Sequence, residues 1–283
     1  MFRVPTIWLV VAFVGLASAC AAQQRNAAAS AAMQPKEVAS QESLPDDVAA
    51  RELLDLANQA RAHAGVAPLQ LDQALSQAAG SHTAEMAAEQ QLSHQFSDET
   101  SLLQRLTADS DLHVDQAAEN VAFAPTVERA HDALMHSPPH RENLLNARYN
   151  VAGISVVRSG RLLYVTEDFA HSLPVYSGDQ AEEAVVRAVS QARSQAGVAS
   201  LHRTSMSAAR TAACSMAQRK SLDAPQLPGR HVVRYTSFSP EEVPAGAVGT
   251  VTRADIGELS VGTCYGQSSH NAGGMYYVVL VLK

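Results

Sequence analysis

Asn58-Gln-Ala-Arg61-Ala-His-Ala-Gly65-Val-Ala-Pro-Leu69 recurs without a gap as Ser190-Gln-Ala-Arg193-Ser-Gln-Ala-Gly197-Val-Ala-Ser-Leu201. Each stretch follows a helical pattern (Leu53, Leu54, Leu56 and Ala57; then Val185, Val186 and Val189) and stops at a glycine, Gly65 or Gly197. Each also leads into an Ala-rich helical stretch ending near a methionine, Met86 or Met216. Further on, Leu162–Phe169 matches Met275–Leu282, both apolar and β-prone. A repeat of this length reads as a tandem duplication.

Outward from the first stretch, the pattern predicts helices near 48–64, 72–91, 99–108 and 126–136, then strands near 151–157 and 162–169. Arg158-Ser-Gly-Arg161 supplies a hairpin turn between those strands. Helices followed by paired strands indicate an α+β fold with an antiparallel sheet. The expected layout is a leader at 1–19, a tether at 20–45, a first domain at 46–172, a linker at 173–180 and a second domain at 181–283.

The leader carries Arg3, an apolar run from Ile7 to Leu16, and Ala17-Ser18-Ala19 before Cys20. That is a signal peptide, too short to span a membrane. Ala17-Ser18-Ala19 fits an A-x-A cleavage site, while small residues ahead of Cys20 also resemble a lipobox, with Leu16 one place too early. Of three cysteines, Cys214 and Cys264 can pair in an oxidising compartment, which leaves Cys20 over and favours its lipidation. Residues 21–44 lack apolar periodicity and suit a coil reaching about 25–30 Å.

Acidic residues outnumber basic ones, 28 to 21, and no Lys/Arg run exceeds a pair, so nucleic acid is excluded as a partner class. The one Trp, Trp8, lies in the leader, which leaves the core to Leu, Val, Ala, Met, Tyr and Phe.

Several phrases stand in order: Asn58 with Arg61, Gly65-Val-Ala-Pro-Leu69 with Asp72, Ala79-Gly-Ser-His82 with Met86, Ser93-His94, Ala118-Glu119-Asn120-Val121, Ser137-Pro-Pro-His140-Arg141-Glu-Asn143-Leu-Leu145, Val151-Ala-Gly153-Ile154, and Tyr164 to Phe169. Over about residues 50–170 this line resembles the bacterial branch of the CAP superfamily, also called SCP or PR-1-like. The resemblance implies a three-layer α-β-α sandwich around an antiparallel sheet, with His82, Glu119 and His140 lining a polar cavity. The chain departs from the family at Ala118 and Pro139, where Gly is usual, at Leu134, where Trp is common, and at His136, near the place of a second acid.

Two imidazoles and a carboxylate are ligands that Zn²⁺ accepts, with water in an open fourth position or His136 closing the site. Without metal, Glu119 and His140 remain candidate acid/base groups. The plainer readings are that the His82 ring satisfies a loop carbonyl, that Asn120 holds a tight turn, and that Arg141 and Asn143 brace their loop. Glu85, Glu167 and Asp168 are candidate rim acids. By the ungapped spacing His82 falls opposite Cys214, and the second repeat lacks the motifs around Glu119 and His140, so it reads as a scaffold.

The leading expectation is an exported or lipid-anchored envelope protein that binds a divalent metal, small ligand, peptide or envelope component, with a membrane contact through lipid on Cys20. The rivals are a metal-assisted or Glu-based hydrolase of peptide or cell-wall substrates and a lipid- or sterol-binding protein.

Overall fold

Local chemistry sets the helix boundaries. Helix α1 (Asp47–His63) starts where the Asp46 carboxylate accepts the Ala49 N–H, and it stops before Gly65 at φ +72°. Helix α2 (Gln73–Glu89) starts with Asp72 bound to the Leu75 N–H and ends on Gln90 in the left-handed region. The computed structural model describes residues 44–108, 110–266 and 273–283. The leader, the Cys20 site and nearly all of the tether lie outside them.

The first sheet is mainly antiparallel, in the order β1 (Leu44–Pro45), β4 (Val151–Ser159), β5 (Leu162–Leu173), β3 (His113–Ala124). A short β2 (Gln70–Leu71) joins the outer side of β4 in parallel. Helices α1, α4 (Val127–His136) and α5 (Pro138–Leu145) cover one face around Leu53, Leu134, Ile154 and Phe169. Helices α2 and α3 (Leu102–Ala108) cover the other, packing Met86 on Val121 and Tyr164, and Leu75 and Leu106 on Val114. This is the expected α+β sandwich.

The second sheet runs β6 (His202–Arg203), β8 (Glu258–Gly266), β9 (Met275–Leu282), β7 (His231–Ser237). Helices α6 (Gly178–Gln195) and α8 (Ala245–Val251) lie on one face, and α7 (Ser207–Arg219) lies on the other. A disulfide joins Cys214 on α7 to Cys264 on β8, as expected.

Two fully buried arginines organise the helix layers. Arg61 donates to the carbonyls of Ala67, Leu144, Asn146 and Tyr149 at 2.7–3.0 Å. Arg193 donates to those of Ala199, Val251, Arg253 and Ile256 at 2.6–3.4 Å. Each guanidinium ties a helix to the turn that enters its sheet, and carbonyl oxygens satisfy the buried donors. Two glycines let helices ride directly on strands: a Cβ on Gly153 would sit 2.2 Å from the Leu75 backbone, and one on Gly262 would sit 2.1 Å from that of Ala209.

The fold revises four expectations. Asn120 holds no turn, because β3 runs straight through it. Residues 138–145 form helix α5, started by Pro138 at its first position. Glu167 and Asp168 are interior rather than rim residues, both with no exposed surface. Finally, Met86 and Met216 are both buried, and Gln90 and Lys220 both cap their helices with positive φ, so Ala212, not Cys214, stands opposite His82.

Candidate functional site

The site grows from the register of three strands. Glu119 on β3 faces Asp168 on β5, which faces Gly153 on β4; one step along, Asn120 faces Glu167. Side chains alternate across a sheet, so Glu119 and Asp168 share the face under α2, and Asn120 and Glu167 share the face under α5.

On the α5 side, Asn120 Nδ2 donates to the His140 carbonyl at 3.0 Å and to Glu167 Oε2 at 3.1 Å. Asn143 Nδ2 donates back to Asn120 Oδ1 at 3.1 Å. The Asn pair therefore fixes α5, and with it His140, against β3. Burial pushes the Glu167 carboxyl up to about 7, and the bond from Asn120 only partly opposes it.

On the α2 side, the Glu119 carboxylate accepts from Arg105, pairs with His94 Nδ1 at 2.9 Å, and lies 3.8 Å from His82 Nε2. Asp168 beside it is held well above the ordinary aspartate range, first by burial and then by the negative charge of Glu119. A proton on Asp168 removes that repulsion.

His82 is fully buried between two acceptors: Nδ1 is 2.7 Å from Glu99 Oε1, and Nε2 is 2.8 Å from the Ser93 carbonyl. Both ring nitrogens are thus engaged within the protein, and neither is free to face a metal. Glu99 sits below the ordinary glutamate range; burial alone would raise it, but the Phe96 N–H and the His82 ring outweigh that. His82 thus pins the 93–99 loop to α2, which is the plainer role that its sequence position suggested.

His94, carried on that loop, is 60 % exposed, and its ring centroid lies 6.4 Å from that of His140. Burial, and then the nearby His94, pull the His140 pKa below its ordinary value, so the ring is neutral near pH 7. The structure accordingly brings His94, Glu119 and His140 together at the outer edge of β3. His136 faces away: it is exposed on α4, with Nδ1 2.7 Å from the Asp132 carbonyl, beside Met135, Pro138 and Arg141.

Among the described residues no group of three or more His, Cys, Asp or Glu side chains is arranged to hold a metal ion. The expected Zn²⁺ set of His82, Glu119, His140 and His136 does not fit, because His82 is saturated, Glu119 is engaged by Arg105 and His94, and His136 is elsewhere. What the edge offers instead is a neutral imidazole, an exposed imidazole and a fixed carboxylate. Those groups can hydrogen-bond a polar ligand or pass a proton to one.

Sequence reasoning named His94 without a role and passed over Glu99 and Arg105. The phrase Ser93-His94 was a usable signal, whereas Glu99 and Arg105 sit in a loop and a short helix whose path only the fold reveals.

Residues 54–169 match the model of CAP, the cysteine-rich secretory protein family. The "uncharacterized membrane protein YlbC" of Bacillus subtilis (strain 168) is 34% identical over 123 residues, 41% of this chain and 33% of that protein. YkwD of the same organism, also described as uncharacterized, is 30% identical over 111 residues, 39% of this chain and 43% of its own length. The chain thus spans less than half of either relative. A solved extracellular protein containing an SCP domain from Bacillus anthracis str. Ames is 24% identical, with 44% of this chain and 41% of that one covered and a TM-score of 0.41. By the family match, residues 54–169 carry a CAP domain, and the second sheet lies outside it.

Proposed function

We propose that this chain is an exported, lipid-anchored CAP-domain protein that binds a polar component of the cell envelope at the His94–Glu119–His140 edge. The observation that carries the reading is the convergence of those three side chains, one exposed, one neutral and one held in place by Arg105, at the rim of a sheet. The apolar run before Cys20, and the Cys214–Cys264 pair that leaves one of the three cysteines over, support export and anchoring. Binding is favoured over hydrolysis because Glu119, the proposed base, is already engaged by Arg105 and His94, which leaves it poorly placed to activate water. The second half is a diverged duplicate of the first, as the recurring helix–Gly stretch and the second arginine clamp suggest.

Soluble muropeptides titrated calorimetrically into the purified protein test the reading. Wild type should bind saturably, and a His94→Ala/His140→Ala double variant should bind at least tenfold more weakly at unchanged melting temperature. Undiminished binding by the variant, or no binding by wild type, defeats the proposal. Turnover of the muropeptide that vanishes in Glu119→Gln would establish the hydrolase instead.

A further inference from the structure

The outer edges of the two sheets are built alike and finished differently. In the first, β4 receives β2 at Val151 and Ala152 and then β1, antiparallel, at Val157 and Arg158, with the Asp46 N–H donating to the Val156 carbonyl at 2.8 Å. In the second, β8 receives β6 at Glu258 and Leu259, and the Thr204 N–H bonds the Leu259 carbonyl at 2.8 Å. Beyond that point β8 pairs only with β9, and no strand flanks its outer side among the described residues.

A cavity of about 930 Å³ lies at this place. One wall is the exposed face of α7, where Ser207, Arg210, Thr211, Cys214, Ser215 and Gln218 recur at helical spacing. Glu182 of α6 and Val261 of β8 contribute from the opposite face of the sheet, so the cavity straddles the strand edge itself. The Cys214–Cys264 disulfide fastens the α7 wall to β8. The charges are already committed, Arg210 to Glu182 at 2.7 Å and to Asp179, and Arg203 to Glu183, which leaves a hydroxyl-rich and nearly neutral lining. A free anion is not matched by such walls.

We propose that this groove binds an extended peptide segment of a partner protein, which adds to β8 as an antiparallel strand where β1 sits on β4. An open strand edge is a row of unpaired amides and carbonyls, and an added strand satisfies it through main-chain bonds that any sequence supplies. The α7 wall from Ser207 to Gln218 is about 16 Å long at 1.5 Å per residue. At about 3.4 Å per residue this accommodates roughly five residues of extended chain. Specificity comes from the hydroxyl and amide groups of Ser215 and Gln218, which suit polar side chains on alternate positions of the guest.

Two end-blocked, fluorescently labelled hexapeptides test the proposal against the full exported chain: one copying residues 41–46, which lead into and include β1, and one of generic strand-forming sequence, Thr-Val-Thr-Lys-Thr-Val. Both should bind saturably by anisotropy and slow amide hydrogen exchange in residues 261–266. Thr211→Trp, which fills the groove from an exposed helix position, should weaken both at least tenfold, whereas Thr211→Ala should change them less than threefold. Failure of both peptides to bind wild type, binding indifferent to Thr211→Trp, or protection confined to the first sheet would each overturn it. A concentration-dependent dimer that itself protects residues 261–266 and excludes the peptides would assign the edge to a second copy of this chain, and would overturn it too.

Discussion

The two sheets share a frame and differ at its centre. Aligned by the entry of β2 beside Val151 and of β6 beside Glu258, and followed through the strand pairing, Glu119, Asn120, Glu167 and Asp168 correspond to Val232, Val233, Leu280 and Val281. The arginine clamps carry the same comparison into the helices: Leu144 corresponds to Val251, which sets Ala247 where His140 stands and Ala212 where His82 stands. The second half therefore carries aliphatic residues at the four sheet positions where the first half places Glu119, Asn120, Glu167 and Asp168, although both halves keep a buried arginine clamp. A polar group held in an interior lowers stability unless it is fully paired, so its presence in one half alone is no requirement of the shared frame and fits the proposed binding edge.

What the halves keep in common should be the costliest thing to remove. Arg61→Ala strands three or more buried carbonyls and opens a cavity, and should destabilise the first half by about 4 kcal/mol or more. Arg193→Ala should do the same to the second. Chemical denaturation followed by hydrogen exchange resolved along the chain will show whether each loss stays in its own half. A surface-like cost below 1 kcal/mol at either arginine would break the equivalence on which the comparison rests.

The disulfide is particular to the second half and ranks next. It closes a separation of 50 residues, which the chain-entropy model values at up to about 4 kcal/mol. Cys264→Ser with Cys214→Ser should lower the denaturation midpoint of the second half and leave protection in β3, β4 and β5 unchanged. An equal loss in both sheets would mean that they unfold as one unit.

Much of this frame was legible in the sequence. The Gly65 and Gly197 stops and the apolar β5 and β9 each carry a local signal strong enough to stand alone. Strand β3 was missed because His-Val-Asp-Gln-Ala-Ala-Glu-Asn has neither alternation nor β-branched density; it is a strand because its polar residues find partners on both faces. The site was half legible for a related reason. Glu119 and His140 stand in motifs, but the resemblance that points to them also points to His82 and gives His94 no role. Only the fold reveals that both His82 nitrogens are consumed in holding that loop.

The smallest and sharpest test concerns Glu167, whose Oε1 lacks a hydrogen-bond partner and whose opposite number is Leu280. With its pKa near 7 in the folded protein, against the usual 4.5 in the unfolded chain, the folded state binds more protons between those values. Stability contributed by this residue is therefore greatest below pH 4.5, falls as pH rises, and is fully lost above pH 7. At 1.36 kcal/mol per unit, the ionised side chain costs up to about 3 kcal/mol at pH 8. Glu167→Gln keeps the acceptor for Asn120 and carries no charge, so it should gain up to that amount at pH 8 and almost nothing at pH 4. Melting curves across that range should converge at the acid end. If they run parallel instead, the buried carboxyl is neutralised by a partner, and the first half is less strained at its centre than its contrast with Leu280 implies.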